Sequence, residues 1–263
     1  DENLDYAKSN YLSLLKEIED NNLKIKNPEF IIIENVPTFL KIRLPYEGKQ
    51  CLVTEILSES FSDEYIIESD IYDAADYGVP QRRLRAIIKM YRKGRIWSKP
   101  EKCRQKTLEE AIGYLPGLEA GECSDIKWHF ARKHKESQIE CMKHTPTGKS
   151  AFENAVFYPR KASGERIKAY NTTYRRMKWN EPAPTITMRN DAISSQLNVH
   201  PGRLLEDGTY SDSRVLTPLE LMILSSLPAD WNIPDTTPEI LIRQCIGECI
   251  PPLLIKKIVS QIR

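Results

Sequence analysis

Histidine is scarce, with four in 263 residues, and no two of the six cysteines form a C-x-x-C pair. A chain of this length can build a core without disulfide staples. Cys51, Cys103, Cys123, Cys141, Cys245 and Cys249 are expected to be reduced thiols of a cytosolic protein. Cys245 and Cys249 stand at helical spacing, and with no histidine near them they are read as buried small hydrophobes rather than metal ligands. Long apolar runs are missing too. The longest candidates resemble Phe30-Ile31-Ile32-Ile33, far short of the roughly 18 residues of a membrane helix. Glycine is sparse, 11 in all, and the first is Gly48, so no glycine-rich ligand loop lies upstream of it. No signal peptide is visible, and the start at Asp1 rather than Met suggests a fragment, a processed chain or one piece of a split protein. Net charge is almost absent, at +1.

What is there is a soluble, globular composition, 40% hydrophobic and 29% charged. The small net charge hides an asymmetry. Residues 125–180 hold 13 Lys/Arg against 5 Asp/Glu, a net of +8, whereas the rest of the chain has a net of −7. A basic segment in an otherwise acidic chain fits a polyanionic partner, and equally fits a solvated lysine-rich face.

Along the chain, Tyr6–Asn21 has helical apolar spacing, and Phe30–Ile33 reads as a buried strand running into Glu34-Asn35-Val36-Pro37. Gln50–Phe61 reads as a second amphipathic helix, and Tyr65–Tyr72 and Arg83–Tyr91 read as strands. Helix, strand, helix, strand, strand is half of an open α/β sheet with helices on its faces. A short helix is expected at Thr107–Tyr114. Residues 126–213 are rich in turns and look like a small, separate, loop-rich lobe. Thr217-Pro218-Leu219-Glu220 carries a capping box with proline at the first helical position, opening a helix to about Ser226. Helices are also expected at Thr237–Ile246 and from Pro251, where the broad apolar stripe Leu253 to Ile262 should return the chain end to the α/β body.

Two places carry chemistry. Glu34 ends the most apolar strand, where open α/β sheets bind ligands. Its carboxylate could accept from an amine or a ring N–H; it could equally cap a neighbouring helix. In Asp76-Tyr77-Gly78-Val79-Pro80-Gln81-Arg82-Arg83-Leu84-Arg85 a turn precedes a strand. Period two puts Arg83 and Arg85 on one face. Two guanidiniums there suit a phosphate or a polarised carbonyl oxygen, or could be surface arginines paired to Asp73 or Asp76.

The pairing of FIIIENV (30–36) with ADYGVPQRRLR (75–85) resembles the DNA (cytosine-5) methyltransferases, most of all the prokaryotic modification enzymes. PAPTIT (182–187), ISSQLNVHPGR (193–203), RVLTPLELMILSSLP (214–228) and IGECIPPLLIKKI (246–258) follow in the family's order. The resemblance implies an α/β fold: the second half of an S-adenosylmethionine-dependent methyltransferase sheet, with a small, mostly irregular or β target-recognition lobe. It sets residues 1–122 as the carboxyl half of the catalytic domain, 123–213 as the recognition lobe, and 214–263 as helices returning to the catalytic domain.

It also implies roles. Glu34 would contact N3 and N4 of a flipped cytosine, and Asn35 would position that loop. Arg83 and Arg85 would complete the catalytic set, Arg85 at the cytosine O2. Gly247, Glu248 and Cys249 would lie beside S-adenosylmethionine, with Glu248 in place of the family's common asparagine. Thr185 and Thr187 are expected at DNA phosphate, and Arg160, Lys161, Arg166, Lys168, Arg175 and Arg176 at phosphates or guanine edges. Tyr158, Tyr170 and Trp179, interleaved with these, are read as a small core for the lobe, and His200 as a loop residue. Arg214, Thr217 and Glu220 match a helix that organises the lobe.

The nucleophile is the largest departure. The family's is the cysteine of a Pro-Cys-Gln step, and here the cysteines follow only Gln, Lys or Glu. The glycine-rich cofactor loop is also absent. Asp1-Glu2-Asn3-Leu4 resembles the stretch after the catalytic loop. The expected activity is thus cytosine-5 methylation by a carboxyl-terminal part or split subunit, in restriction–modification. Its partners would be double-stranded DNA and a complementing chain bearing the two missing motifs, without a metal or a membrane, in the bacterial cytoplasm at the nucleoid. The alternative is an inactive DNA-binding or regulatory module derived from such an enzyme.

Overall fold

The structure, a computed structural model, describes residues 27–228 and 230–263. The expected helix at Tyr6–Asn21 and the Asp1–Leu4 stretch lie outside them. Its strands are β1 (Phe30–Asn35), β2 (Arg43–Tyr46), β3 (Lys49–Leu52), β4 (Tyr65–Asp73) and β5 (Leu84–Arg92). Its helices are α1 (Val53–Phe61), α2 (Leu108–Ile112), α3 (Glu136–Lys143), α4 (Pro218–Leu224), α5 (Glu239–Glu248) and α6 (Pro252–Val259). No helix among the described residues is long and apolar enough to cross a membrane. The chain divides into two compact units. The first holds the described residues up to Asp73, with Leu84–Pro100 and Ile258–Arg263; the second holds Ala74–Arg83 and Glu101–Lys257.

The first unit is built on a three-stranded sheet of order β1-β5-β4. β5 runs antiparallel to both neighbours, so β1 and β4 run parallel to each other. Alternation sends Ile31, Ile33, Ile88 and Met90 to one face, where they pack with Phe39, Leu44, Val53 and Ile56. Ile32 and Glu34 consequently point to the other face. There Lys89 is buried, its ammonium donating to the Trp97 carbonyl at 2.7 Å and pairing with Glu68 at 2.7 Å. Of the expected returning stripe, only Ile258–Arg263 belong to this unit; Leu253–Ile255 belong to the second. Trp97 Nε1 donates to the Ile258 carbonyl at 2.8 Å, and Arg263 exchanges backbone bonds with Ile96.

One expected helix is shorter than its periodicity suggests. Residues 49–52 form β3, paired antiparallel with β2, and the helix starts only at Val53. The cause is the two-residue turn Glu47-Gly48, in which both residues have positive φ (46° and 75°). Such a turn closes a tight hairpin whose twist matches its strands. The Glu55 carboxylate then accepts from the Leu52 amide at 2.7 Å and opens α1.

Two apolar clusters are seen among the described residues of the second unit. One joins α2, α4 and α5 through Leu108, Ile112, Leu221, Leu224, Ile242 and Ile246. The other holds Met142, Ala151, Tyr174, Ile193, Val199 and Val215. Thr107 and Thr217 cap α2 and α4, each in a reciprocal box with the glutamate three residues on. Each cap is worth about 0.5–2 kcal/mol. Between the clusters lies a buried polar network. Arg214 makes a bidentate pair with Glu220 (2.8 and 3.0 Å), bonds Asp212 at 2.8 Å and donates to the Leu118 carbonyl at 2.7 Å. Burial alone would raise the Glu220 carboxyl, but Arg214 and the buried His200 hold it at about 2. His200 is buried between Asp212 and Glu220 rather than sitting in an open loop.

Tyr158, Tyr170 and Trp179 do not form the lobe's core. Tyr170 is 81% exposed. Tyr158 is flanked by the guanidiniums of Arg160 and Arg166, 4.3 and 4.1 Å from its ring centroid. Trp179 packs against the first cluster. The core is instead supplied by Tyr174 and Phe152, whose rings meet edge-on at 5.5 Å. Cys245 in α5 and Cys249 just after it also differ from expectation. Cys245 is exposed and Cys249 half-buried, because the buried stripe of that helix is carried by Ile242, Arg243, Ile246 and Gly247.

Candidate functional site

Glu34 and Arg85 meet at the carboxyl end of β1. The register sets Glu34 opposite Ile87, so Arg85, two residues earlier on β5, is its diagonal neighbour on the same face. The Arg85 Nε lies 2.6 Å from the Glu34 Oε1. Both side chains are mostly enclosed, 13% exposed for Arg85 and 19% for Glu34. A largely enclosed carboxylate held against a guanidinium places an acceptor for ring or amine N–H groups beside a donor for a carbonyl oxygen. Asn35 secures the strand end, its Oδ1 accepting from the Val36 amide at 2.8 Å.

Arg83 has a different set of partners. It is 3% exposed and belongs to the second unit, where its Nη1 donates to the Ile186 carbonyl (2.8 Å) and its Nη2 to the Gly247 carbonyl (2.9 Å). The two arginines thus do not form the surface pair that strand alternation suggested. Asp76 pairs with Lys102 at 2.7 Å and accepts from Gln105. Thr185 and Thr187 are exposed with Ile186 buried between them. The Thr185 hydroxyl donates to the Arg82 carbonyl at 2.7 Å. Gly247 is buried, Glu248 is exposed and Cys249 is half-buried at the end of α5. A Cβ on Gly247 would lie 2.4 Å from the Thr187 carbonyl oxygen, so this position is glycine because backbone abuts it.

Of the basic candidates, Arg160, Lys161, Arg166 and Lys168 are exposed. They lie on a short hairpin in which Arg160 bridges Arg166 and the turn passes through Gly164 at φ +84°. Arg175 is half-buried, 3.3 Å from Glu153. Arg176 must be withdrawn from the DNA-contact set. It is 1% exposed, and its guanidinium donates to the carbonyls of Met142, His200 and Asp212 and to the Ser213 hydroxyl. Burial lowers its pKa to about 10, which leaves it charged at neutral pH. It is a tie-bar of the second unit, surrounded by backbone acceptors.

Gln81 is a residue that the sequence did not single out. It is fully buried, its Oε1 accepts from the Ile186 amide at 3.3 Å, and its Nε2 donates to the Ser225 hydroxyl at 3.2 Å. A carboxamide between a tight turn and a strand, able to donate and accept at once, was the available signal.

The family model for C-5 cytosine-specific DNA methylases matches residues 8–263. A Type II methyltransferase of Avibacterium volantium, M1.HgaI, is 61% identical over 240 residues, 91% of this chain and 67% of that protein. M1.HphI of Haemophilus parahaemolyticus is 28% identical over 91% of this chain and 58% of its own length. The chain thus spans between about half and two thirds of the relatives it matches. Among solved structures, a putative DNA modification methyltransferase encoded within an Escherichia coli prophage gives a TM-score of 0.61 at 18% identity, covering 89% of this chain and 69% of that one. DNMT2 of Spodoptera frugiperda gives 0.53 at 14% identity, covering 89% and 66%. These two show the α/β methyltransferase fold, and the family match over nearly the whole sequence gives the identity: the chain belongs to the C-5 cytosine-specific DNA methylases.

Proposed function

We propose that the protein is a DNA cytosine-5 methyltransferase of a restriction–modification system, with Glu34 and Arg85 acting on the target base. The observation that carries this reading is the Glu34–Arg85 pair, 2.6 Å apart and mostly enclosed at the end of β1. A cytosine presents N3 and the N4 amine next to its O2. That edge calls for an acceptor beside a cation, and this pair supplies both.

The base must first leave the duplex, at a cost of a few kcal/mol. A thiolate adds to C6 and makes C5 enamine-like. As N3 gains proton character, Glu34 holds that proton in a hydrogen bond, and Arg85 steadies the negative charge on O2. Once C5 has bonded to the activated methyl group, loss of the C5 proton and expulsion of the thiol from C6 restore the ring. None of the six cysteines follows proline. The attacking thiolate is therefore assigned to sequence beyond these 263 residues, in the same polypeptide or a complementing chain.

S-adenosylmethionine, when bound, supplies an activated methyl group. Glu248 fits such a ligand, because an exposed carboxylate can accept from ribose hydroxyls or an ammonium, and Cys249 lies beside it. The role of Gly247 is packing against Thr187 and Met188. The exposed hairpin residues Arg160, Lys161, Arg166 and Lys168, with Thr185 and Thr187, are the DNA contacts in this reading. Double-stranded DNA is the partner and the cytoplasm the site of action.

The test is Glu34→Gln in the full-length protein, measured as methyl incorporation into duplex DNA. The amide keeps the shape and loses the charge, so the rate should fall about 10²–10⁴-fold while DNA binding persists. An undiminished rate would overturn the assignment.

A further inference from the structure

Within the second unit, four sets of contacts converge on one joint. Residues 183–187 run beside 80–83 in a parallel, strand-like pairing. The Ala183 amide donates to the Pro80 carbonyl at 3.0 Å, and the Arg82 amide to the Ala183 carbonyl at 2.8 Å. Gln81 then holds the Ile186 amide, and Arg83 holds the Ile186 carbonyl, so both backbone groups of Ile186 are fixed by buried side chains. The other arm of Arg83 reaches the Gly247 carbonyl, one of the carbonyls that the end of α5 leaves without a helical partner. A cation there also complements the negative end of the helix. Finally, Gly247 lets Thr187 pack directly on the helix, and Asn190 donates to both the Thr187 carbonyl (2.7 Å) and the Arg243 carbonyl (3.0 Å).

We infer that Arg83 is a positioning residue that couples the two ligand contacts of the proposed methyltransferase. Its fork joins the Thr185–Thr187 segment, assigned to DNA phosphate, to the Gly247–Cys249 turn, assigned to the cofactor. A rigid fork bonded to both carbonyls permits little independent movement of either segment. Ordering one by its ligand therefore orders the other, and the two ligands bind with positive cooperativity. The inference rests on the functional reading above. It goes beyond it by moving Arg83 from base chemistry to communication.

The experiment uses the full-length protein with S-adenosylhomocysteine and a duplex substrate. Cofactor affinity is measured by calorimetry with and without DNA, in wild type and in Arg83→Lys, whose single ammonium cannot span both carbonyls. In wild type, DNA should tighten cofactor binding by roughly fivefold or more. In Arg83→Lys the factor should fall below about twofold, with each ligand still binding alone. A merely structural arginine would shift the melting temperature and leave the factor intact, and that result overturns the inference.

Hydrogen exchange on wild type decides the matter even if the variant fails to fold. S-adenosylhomocysteine alone should slow exchange of the Ile186 amide and its neighbours at 183–188, and DNA alone should slow 245–249. Protection confined to each ligand's own segment refutes the coupling while leaving the methyltransferase reading standing. If neither ligand binds at all, the functional reading fails and the coupling falls with it.

Discussion

Replacing Arg214 with methionine is the sharpest test of how the second unit is held together. Arg214 and Glu220 are each 1% exposed, and Asp212 is nearly as enclosed. Removing the guanidinium leaves two carboxylates buried with no full-strength counterion. Glu220 is held at about 2 rather than its ordinary 4.5. At about 1.4 kcal/mol per pH unit, that difference corresponds to about 3 kcal/mol at neutral pH. The usual cost of breaking a buried pair, about 3–5 kcal/mol, agrees. Against a typical total of about 5–15 kcal/mol, the loss is large. Trp128 and Trp179 pack on the same cluster as Leu221, so tryptophan fluorescence during a urea titration reports this region. With an m-value of about 2 kcal/mol per molar, the midpoint should fall by about 1.5 M. The sign with pH is also fixed. Because the Glu220 pKa is depressed by folding, its contribution is complete above about 4.5 and is lost as pH falls towards about 2. The double variant Arg214→Met/Glu220→Gln should recover part of the loss, because it removes the stranded charge and keeps an acceptor for the Thr217 amide. A single-variant loss below about 1 kcal/mol, or no recovery in the double variant, would refute the reasoning.

Burial pushes both His134 and His200 down to about 4 from 6.5. Unfolded chain takes up those two protons below about 6.5 and folded protein does not, so stability is present above that pH and is lost as pH falls to about 4. Urea titrations should show about 1.4 kcal/mol lost per pH unit for each histidine, and His200→Gln should remove one share; a flat profile across this window contradicts both burials. Arg176→Met should lower the melting temperature and leave the salt dependence of DNA binding unchanged. Arg166→Ala should do the reverse, reducing the slope of log affinity against log salt by about 1. Equal effects of the two arginines on that slope would undo the distinction between tie-bar and contact.

Local signals were readable in this sequence and distant ones were not. The strand at Phe30–Asn35 and the capping box at Thr217–Glu220 appear where their residues imply, because an apolar run and an N-cap act over a few positions. The edge of the candidate site at Glu34 was visible because it follows such a strand. Its link to Arg85 depended on register, which the intervening hairpin decides. Arg176 and Arg175 are adjacent and chemically identical in sequence. One is buried against carbonyls from residues 142, 200 and 212 while its neighbour faces Glu153. No count of basic residues separates them, since the acceptors that enclose Arg176 come from 24 to 36 positions away. Gln50–Leu52 misled for the opposite reason: a two-residue turn reversed the chain and overrode an adequate helical period.

Among the described residues, the hairpin around Tyr158 contributes none to the two apolar clusters described above. From Arg160 to Tyr170 every side chain but Ile167 is exposed. Its conformation comes from its own backbone bonds, from Gly164, and from Arg166 donating to the Phe152 and Asn154 carbonyls. Substitutions on its surface are thus nearly neutral for folding. Lineages carrying this scaffold can drift there without losing a soluble protein, and a library randomised at Arg160, Lys161, Ser163, Glu165 and Lys168 should stay folded throughout. This exposed hairpin is therefore the part of the second unit whose sequence folding constrains least.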